Sequence, residues 1–260
     1  MQNKLFSVIL VSALGNLAAF PVSEAWAVDG DGTILAAGFD YSSGKYGSIS
    51  TTYILSIPVV GMYKTGLWAF KLTAPYVRIS GPGGVLPNGM RNKAATTTKS
   101  TTHSGLGDIV AAATYHVNSE SESNFGVDFT GKAKFGTAGS SLGTGQNDYA
   151  AQVDVYQSFD RFTPMAALGY EVLGSPAGVD MNNMAYATIG GDYKCTGQTN
   201  SGLTMRLSQK PSAIGAEQRE LSAYINYKLD AHMKISGYVL KGFSDGSPGS
   251  GFGVLVSSGF

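Results

Sequence analysis

The chain has 260 residues, no net formal charge and only 14% charged residues, against about 25% in typical soluble domains. That balance leaves no basic surface for nucleic acid. A mean hydropathy near zero excludes a bundle of membrane helices, because after the N-terminus no stretch approaches the roughly 18 apolar residues that a spanning helix needs.

The N-terminus, "MQNKLFSVILVSALGNLAAFPVSEAWA", sets Lys4 ahead of an apolar run from Leu5 to Phe20 and ends in the small-x-small triplet at 25–27. This is the pattern of a cleaved export signal, so residues 1–27 are expected to be removed and the mature chain to begin at Val28. No cysteine follows the apolar run, which argues against a lipid anchor. "DGDG" at 29–32 hints at a calcium loop, but Ile34 stands where that loop requires glycine, and a flexible mature N-terminus is the better expectation.

From residue 33 the pattern is strand and turn. Apolar and polar residues alternate with period two over about twelve segments: 33–42, 51–63, 67–79, 105–117, 124–135, 147–158, 162–173, 183–194, 200–209, 219–229, 232–243 and 251–260. Each is near the 9 to 11 residues of a tilted membrane strand, at roughly that length in general. In "QNDYAAQVDVYQSF", Tyr149, Ala151, Val153, Val155 and Phe159 share one phase, while Asp148, Gln152, Asp154 and Ser158 share the other. Phe125, Val127, Phe129, Ala133 and Phe135 likewise oppose Asn124, Asp128, Thr130, Lys132 and Lys134. The connections alternate too. Tight turns ("KTG", "DR", "TGQ", "DAH") exchange with long Gly/Ser/Thr/Pro-rich segments, and "NSESES" is of middling length. Short periplasmic turns and long outer loops are the habit of outer-membrane barrels, not of soluble sandwiches.

Aromatic residues in the apolar phase cluster at strand ends. Tyr63, Trp68, Phe159, Phe162, Tyr193, Tyr227 and Phe260 fall beside the short turns or the C-terminus, together with Tyr115 and Phe125. Tyr41, Tyr76, Phe135, Tyr149, Tyr170 and Phe252 fall towards the long loops. Two belts of amphipathic rings are what headgroup interfaces select. The fold expected is an all-β, closed antiparallel transmembrane barrel spanning residues 28–260, since a sheet edge left in hydrocarbon costs several kcal/mol per unpaired group. Pro58, Pro75 and Pro164 fit it poorly, and a bulge is expected at Pro58.

"SGLGDI" at 104–109, "TGKAKFGTA" at 130–138, "LGTGQNDYAAQVDVYQSF" at 142–159, "FTPMAALGY" at 162–170 and "LKGFSDGSP" at 240–248 resemble the outer-membrane barrels grouped as meta-pathway phenol-degradation proteins. The resemblance covers most of the mature chain and implies a transporter-like channel for aromatic or other hydrophobic compounds, with no individual binding residue carried over. Phe260 also resembles the terminal residue read by the barrel assembly machinery, although Ser258 replaces the usual second aromatic.

The charged residues expected to face the interior are the site candidates. They are Lys71, Asp108, Asp128, Lys132 and Lys134 in the first half, then Asp154, Arg206, Glu220, Lys228 and Lys234, with Glu171 beside them. Such residues orient a solute or set ion selectivity, or they pair across the interior and brace its wall. Ile54, Val60, Met62, Leu106 and Val110 share the inward phase and would line an apolar track or pack beneath a loop folded inwards.

Catalysis has little support. His103 is expected in an outer loop, with His116 and His232 near periplasmic turns, so they do not cluster. In "THS" at 102–104 the adjacent His and Ser of a strand face opposite ways. Cys195 lacks metal-ligand spacing, and neither metal nor cofactor is expected. The expectation is a passive conduit in the bacterial outer membrane whose partners are lipid and a small solute. A general or ion-selective narrow pore remains an alternative, as does a non-conducting adhesive barrel acting through the loop at 80–104.

Overall fold

In the computed structural model the described residues are 31–82, 100–117, 124–176, 180–213 and 215–260. The expected leader, residues 29–30 of "DGDG", "NSESES", residues 96–99 of the threonine-rich run and most of the 80–104 loop lie outside them. The described chain forms β1 (Gly32–Gly44), β2 (Thr52–Thr65), β3 (Trp68–Pro82), β4 (Ser100–Leu106), β5 (Ile109–His116), β6 (Phe125–Phe135) and β7 (Asp148–Gln157). It continues with β8 (Phe162–Val172), β9 (Met184–Lys194), β10 (Thr199–Ser208), β11 (Gln218–Lys228), β12 (Met233–Gly242) and β13 (Ser250–Gly259).

Neighbours pair antiparallel throughout, and the sheet closes where β1 meets β13, from Ile34↔Gly259 to Ser43↔Ser250. The seam is finished by two bonds between Thr33 and Phe260, at 3.1 and 2.8 Å. β4 and β5 share one partner: Tyr76 of β3 faces Leu106, and Thr73 faces Val110. They are two halves of a single stave, so the barrel has twelve. Closure satisfies every ladder without an edge, the condition for a sheet to sit in hydrocarbon.

Burial along each strand alternates in the reverse of the soluble sense. On β6 the buried set is Asp128, Thr130, Lys132 and Lys134, while Phe125, Phe129 and Phe135 are exposed. On β7, Asp148, Gln152 and Asp154 are buried while Tyr149, Val153 and Val155 are exposed. Apolar side chains cover the outside and polar ones fill the inside, which makes the chain an outer-membrane β-barrel with its apolar face to lipid.

The tight turns follow from local chemistry. Gly66 has φ +54° and Asp160 φ +53°, the left-handed backbone that two-residue hairpin turns demand. Asp31 is not a loose end: its carboxylate accepts from the Gly66 N–H at 2.7 Å and from the Thr65 hydroxyl at 3.3 Å, clamping the β2–β3 turn.

The prolines correct one expectation. Pro58 and Pro75 face each other across β2 and β3, and β2 carries no bulge. Its register with β1 is the same on both sides of Pro58, and only the bridges between Ala37↔Val59 and Asp40↔Ser56 are missing. The bulge lies instead on the far side of Pro75, where the β4–β5 register slips by one residue at Gly107–Asp108 and the Gly107 N–H reaches the Pro75 carbonyl at 2.8 Å. One extra residue re-aims the side chains that follow it. Leu106 is therefore turned outward and 71% exposed, not inward as its phase suggested. His103 also departs from expectation, lying within β4 rather than in a loop.

Inward tyrosines set the inner packing. Tyr156, Tyr186 and Tyr224 each lie across a glycine of the preceding strand, where a Cβ added at Gly126 or Gly169 would collide with the ring and one at Gly202 with the phenol end of Tyr224. The missing side chain on one strand is the seat for the ring of the next.

Candidate functional site

The interior has two unlike walls. On β6 to β11 it is charged. Lys134 Nζ lies 2.5 Å from Asp148 and 3.3 Å from Asp108. One level along, Lys132 Nζ and the Tyr186 hydroxyl both donate to Gln152 Oε1 at 2.9 Å, and Gln152 Nε2 donates to the Asp154 carboxylate at 2.7 and 2.8 Å. The Arg206 guanidinium lies over the Tyr186 ring, 4.3 Å from its centroid. Glu220 faces Arg206 across β10 and β11. Towards the short-turn end His116 pairs with Asp128 at 2.8 Å. There Asp192 accepts from Asn200 at 2.7 Å and from the Tyr224 hydroxyl at 2.9 Å.

The opposite wall, on β1 to β3, carries most of the inward apolar side chains, interrupted by the buried Asp40, Ser42, Thr52, Ser56 and Thr73. Ile34, Ala36, Ile54, Val60, Met62, Val77 and Ile79 all point inward and are buried. Over its outer end sits the β6–β7 connection, residues 136–147, whose Ala138 and Leu142 pack with Tyr46, Ile54, Val77 and Ile79. Local bonds hold this inward loop. Asp108 accepts from the Ala138 N–H at 2.9 Å, Asn147 accepts from the Gly136 N–H at 2.9 Å, and the Leu142 N–H reaches Gly139 at 2.8 Å. Of the apolar residues expected inside, Ile54 packs beneath the loop, Val60 and Met62 continue the stripe below it, and Val110 faces Thr73 of the same wall.

Every charged candidate sits on the inward phase of its strand, except Asp108, which lies in the bulge and reaches inward to Lys134. Asp128, Lys132, Lys134, Asp154, Glu171, Arg206, Glu220 and Lys234 are buried; Lys71, Asp108 and Lys228 are half-buried. The structure joins Asp108 to Lys134 and links Lys132 to Asp154 through Gln152. Lys71 lies within electrostatic reach of Lys132, and Lys228 and Lys234 face each other near the short turns. The interior also uses residues that were not among the site candidates: Asp148, Gln152, Tyr186, Asp192 and His116, the partner of the candidate Asp128. Asp148 and Gln152 carried a signal, since both lie in the polar phase; the role of Tyr186 depends on Gly169 of another strand.

The seven aromatics expected at the headgroup interface, Tyr63, Trp68, Phe159, Phe162, Tyr193, Tyr227 and Phe260, all lie on the outer wall, between 44% and 71% exposed. Trp68 stacks on Phe70 at 5.9 Å and touches Tyr115 at 5.0 Å between ring centroids. The three histidines stay apart, His103 on β4, His116 at the end of β5 and His232 in the β11–β12 turn.

No family model and no curated protein sequence matches this chain. Solved structures do. An outer membrane channel from Pseudomonas putida F1 superposes with a TM-score of 0.69 at 12% identity, covering 91% of this chain and 98% of that one. The NanC porin gives 0.55 at 12% identity over 87% and 98% of the two chains. The β domain of the Bordetella autotransporter BrkA gives 0.53 at 13% identity over 89% and 100%. At these identities the likeness is one of fold: a closed outer-membrane barrel, a form shared by channels, a porin and an autotransporter domain.

Proposed function

We propose that this barrel is an outer-membrane channel for the passive passage of small hydrophobic or aromatic solutes. The divided interior carries the reading: β1 to β3 bring inward apolar side chains opposite a charged wall, with a few buried polar groups between them, and the inward loop at 136–147 rests on the outer apolar cluster. A non-polar solute entering from outside meets Leu142 and Ala138 first, then slides along Val60 and Met62. The charged wall holds the opposite side rigid through paired groups. Motion of the loop controls entry, since it occupies the apolar surface that the solute needs. Residues 1–27 fit an export leader, and Phe260 at the seam fits a strand handed to the assembly machinery.

The test is uptake by liposomes carrying the purified mature barrel, with toluene and a sugar of similar size as solutes, alongside bilayer conductance. Toluene uptake that rises when residues 139–145 are deleted is the expected result. A sizeable steady conductance without toluene uptake in either form would replace this reading with a general or ion-selective pore.

A further inference from the structure

Among the interior cations, Arg206 stands apart. Lys134 is neutralised by two carboxylates, and Lys132 donates to Gln152. Arg206 is only 8% exposed, yet its Nη1 is sealed with no acceptor, and among the described residues its guanidinium makes neither a hydrogen bond nor an ion pair. This holds although Glu220 is its partner on β11 and Glu171 lies within its electrostatic reach. The guanidinium lies over the face of Tyr186.

Stacking uses only the face of a guanidinium. Its N–H donors lie in the plane, so stacking leaves the donors beside the sealed Nη1 free to meet a planar oxyanion. A buried guanidinium without an acceptor is costly, and an arriving anion removes that cost. Two nearby carboxylates, Glu171 and Glu220, set the charge that the site accepts. Both repel a dianion about twice as strongly as a monoanion, since Coulomb energy scales with charge. Tyr186 holds the guanidinium by its face, and the flat, apolar body of the solute follows from the channel reading.

Building on the channel reading above, we propose that Arg206 and Tyr186 form a subsite inside the barrel for the carboxylate of a small monoanionic solute, with an aromatic acid as the fitting class. The subsite admits the anionic relatives of the neutral solutes that follow the apolar stripe.

Titration calorimetry on the mature barrel in detergent tests this without requiring conduction. The probes are benzoate, the neutral benzyl alcohol and inorganic phosphate. Benzoate is expected to bind one to one and more tightly than phosphate, and Arg206→Gln to weaken it at least tenfold without changing the response to benzyl alcohol. Arg206→Lys keeps the charge and loses the fork, so it should fall between. Glu220→Gln leaves Arg206 in place and should tighten benzoate several-fold, which keeps the proposal testable if Arg206→Gln does not fold. Equal benzoate affinity in wild type and Arg206→Gln, no gain in Glu220→Gln, or phosphate bound as tightly as benzoate would each overturn it. Toluene uptake in liposomes reports separately on the channel.

Discussion

The Lys134 ammonium lies 2.5 Å from the Asp148 carboxylate, its direct cross-strand partner on β7, and 3.3 Å from Asp108 in the β4–β5 bulge. The three residues tie the bulge to the base of the inward loop, because Asp108 also accepts from the Ala138 N–H and Asp148 from the Gly174 N–H at 2.8 Å. Lys134→Met would leave two interior carboxylates without their cation. Breaking one side of a buried pair costs about 3–5 kcal/mol, and a loss of that size is expected in urea unfolding followed by tryptophan fluorescence. Asp108→Asn should cost less while raising toluene uptake through a looser loop; unchanged stability in Lys134→Met would show the cluster to be hydrated and weak.

The two faces of β7 should respond oppositely to charge. Val153 and Val155 are each 37% exposed on the outer wall, and Asp154 between them points inward. Val153→Arg or Val155→Arg should cost about 2–4 kcal/mol at mid-bilayer, read as the fraction refolded into lipid vesicles. Asp154→Asn keeps an acceptor for Gln152 and should leave assembly intact. Equal tolerance at all three positions would contradict the assignment of faces.

Tyrosine seats make a packing prediction. A Cβ on Gly126 would collide with the Tyr156 ring, so Gly126→Ala must displace that ring. Overpacking of this kind costs about 1–3 kcal/mol. Combining it with Tyr156→Ala should recover part of the loss, and a strictly additive double mutant would show that the two positions do not share one space.

The β11–β12 turn carries a pH dependence. Asp230 Oδ1 accepts from the backbone N–H of His232 at 2.7 Å and of Met233 at 2.8 Å, and these bonds hold its carboxyl below the usual carboxylate range. Hydrogen bonds to the charged form favour it, so the turn is fully held above the ordinary carboxylate pKa and loosens as pH falls through the lowered one. The protection of the His232 and Met233 amides from exchange, relative to free peptide at the same pH, should fall only in that acid range. Asp230→Asn should abolish the pH step, and an unchanged step in that variant would assign it to another group.

Much of the fold was legible because a spanning strand is a local object. The alternation of Val153, Asp154 and Val155 needs no partner to be read, and lipid outside with polar groups inside follows from that period and from the low charge content. Strand ends were legible for the same reason, since "KTG" and "DR" carry their own turn chemistry. The slip at Gly107–Asp108 was not, because it answers to Pro75 on the neighbouring strand, and it is what turned Leu106 outward.

The candidate site divides in the same way. That Lys132, Lys134, Asp154 and Arg206 point inward is decided by parity along each strand. Which of them pair is decided by register between strands and by where the loop at 136–147 comes to rest. Asp108 reaches Lys134 through a bulge, and Arg206 meets Tyr186 rather than Glu220 because Gly169 leaves that ring its seat. By itself the sequence determined the barrel, its faces and its place in the outer membrane, for these depend on each residue's own preference for lipid or water. Only the tertiary structure decided the blocked apolar stripe, the paired lysine and the unpaired arginine, because each depends on contacts between residues far apart along the chain.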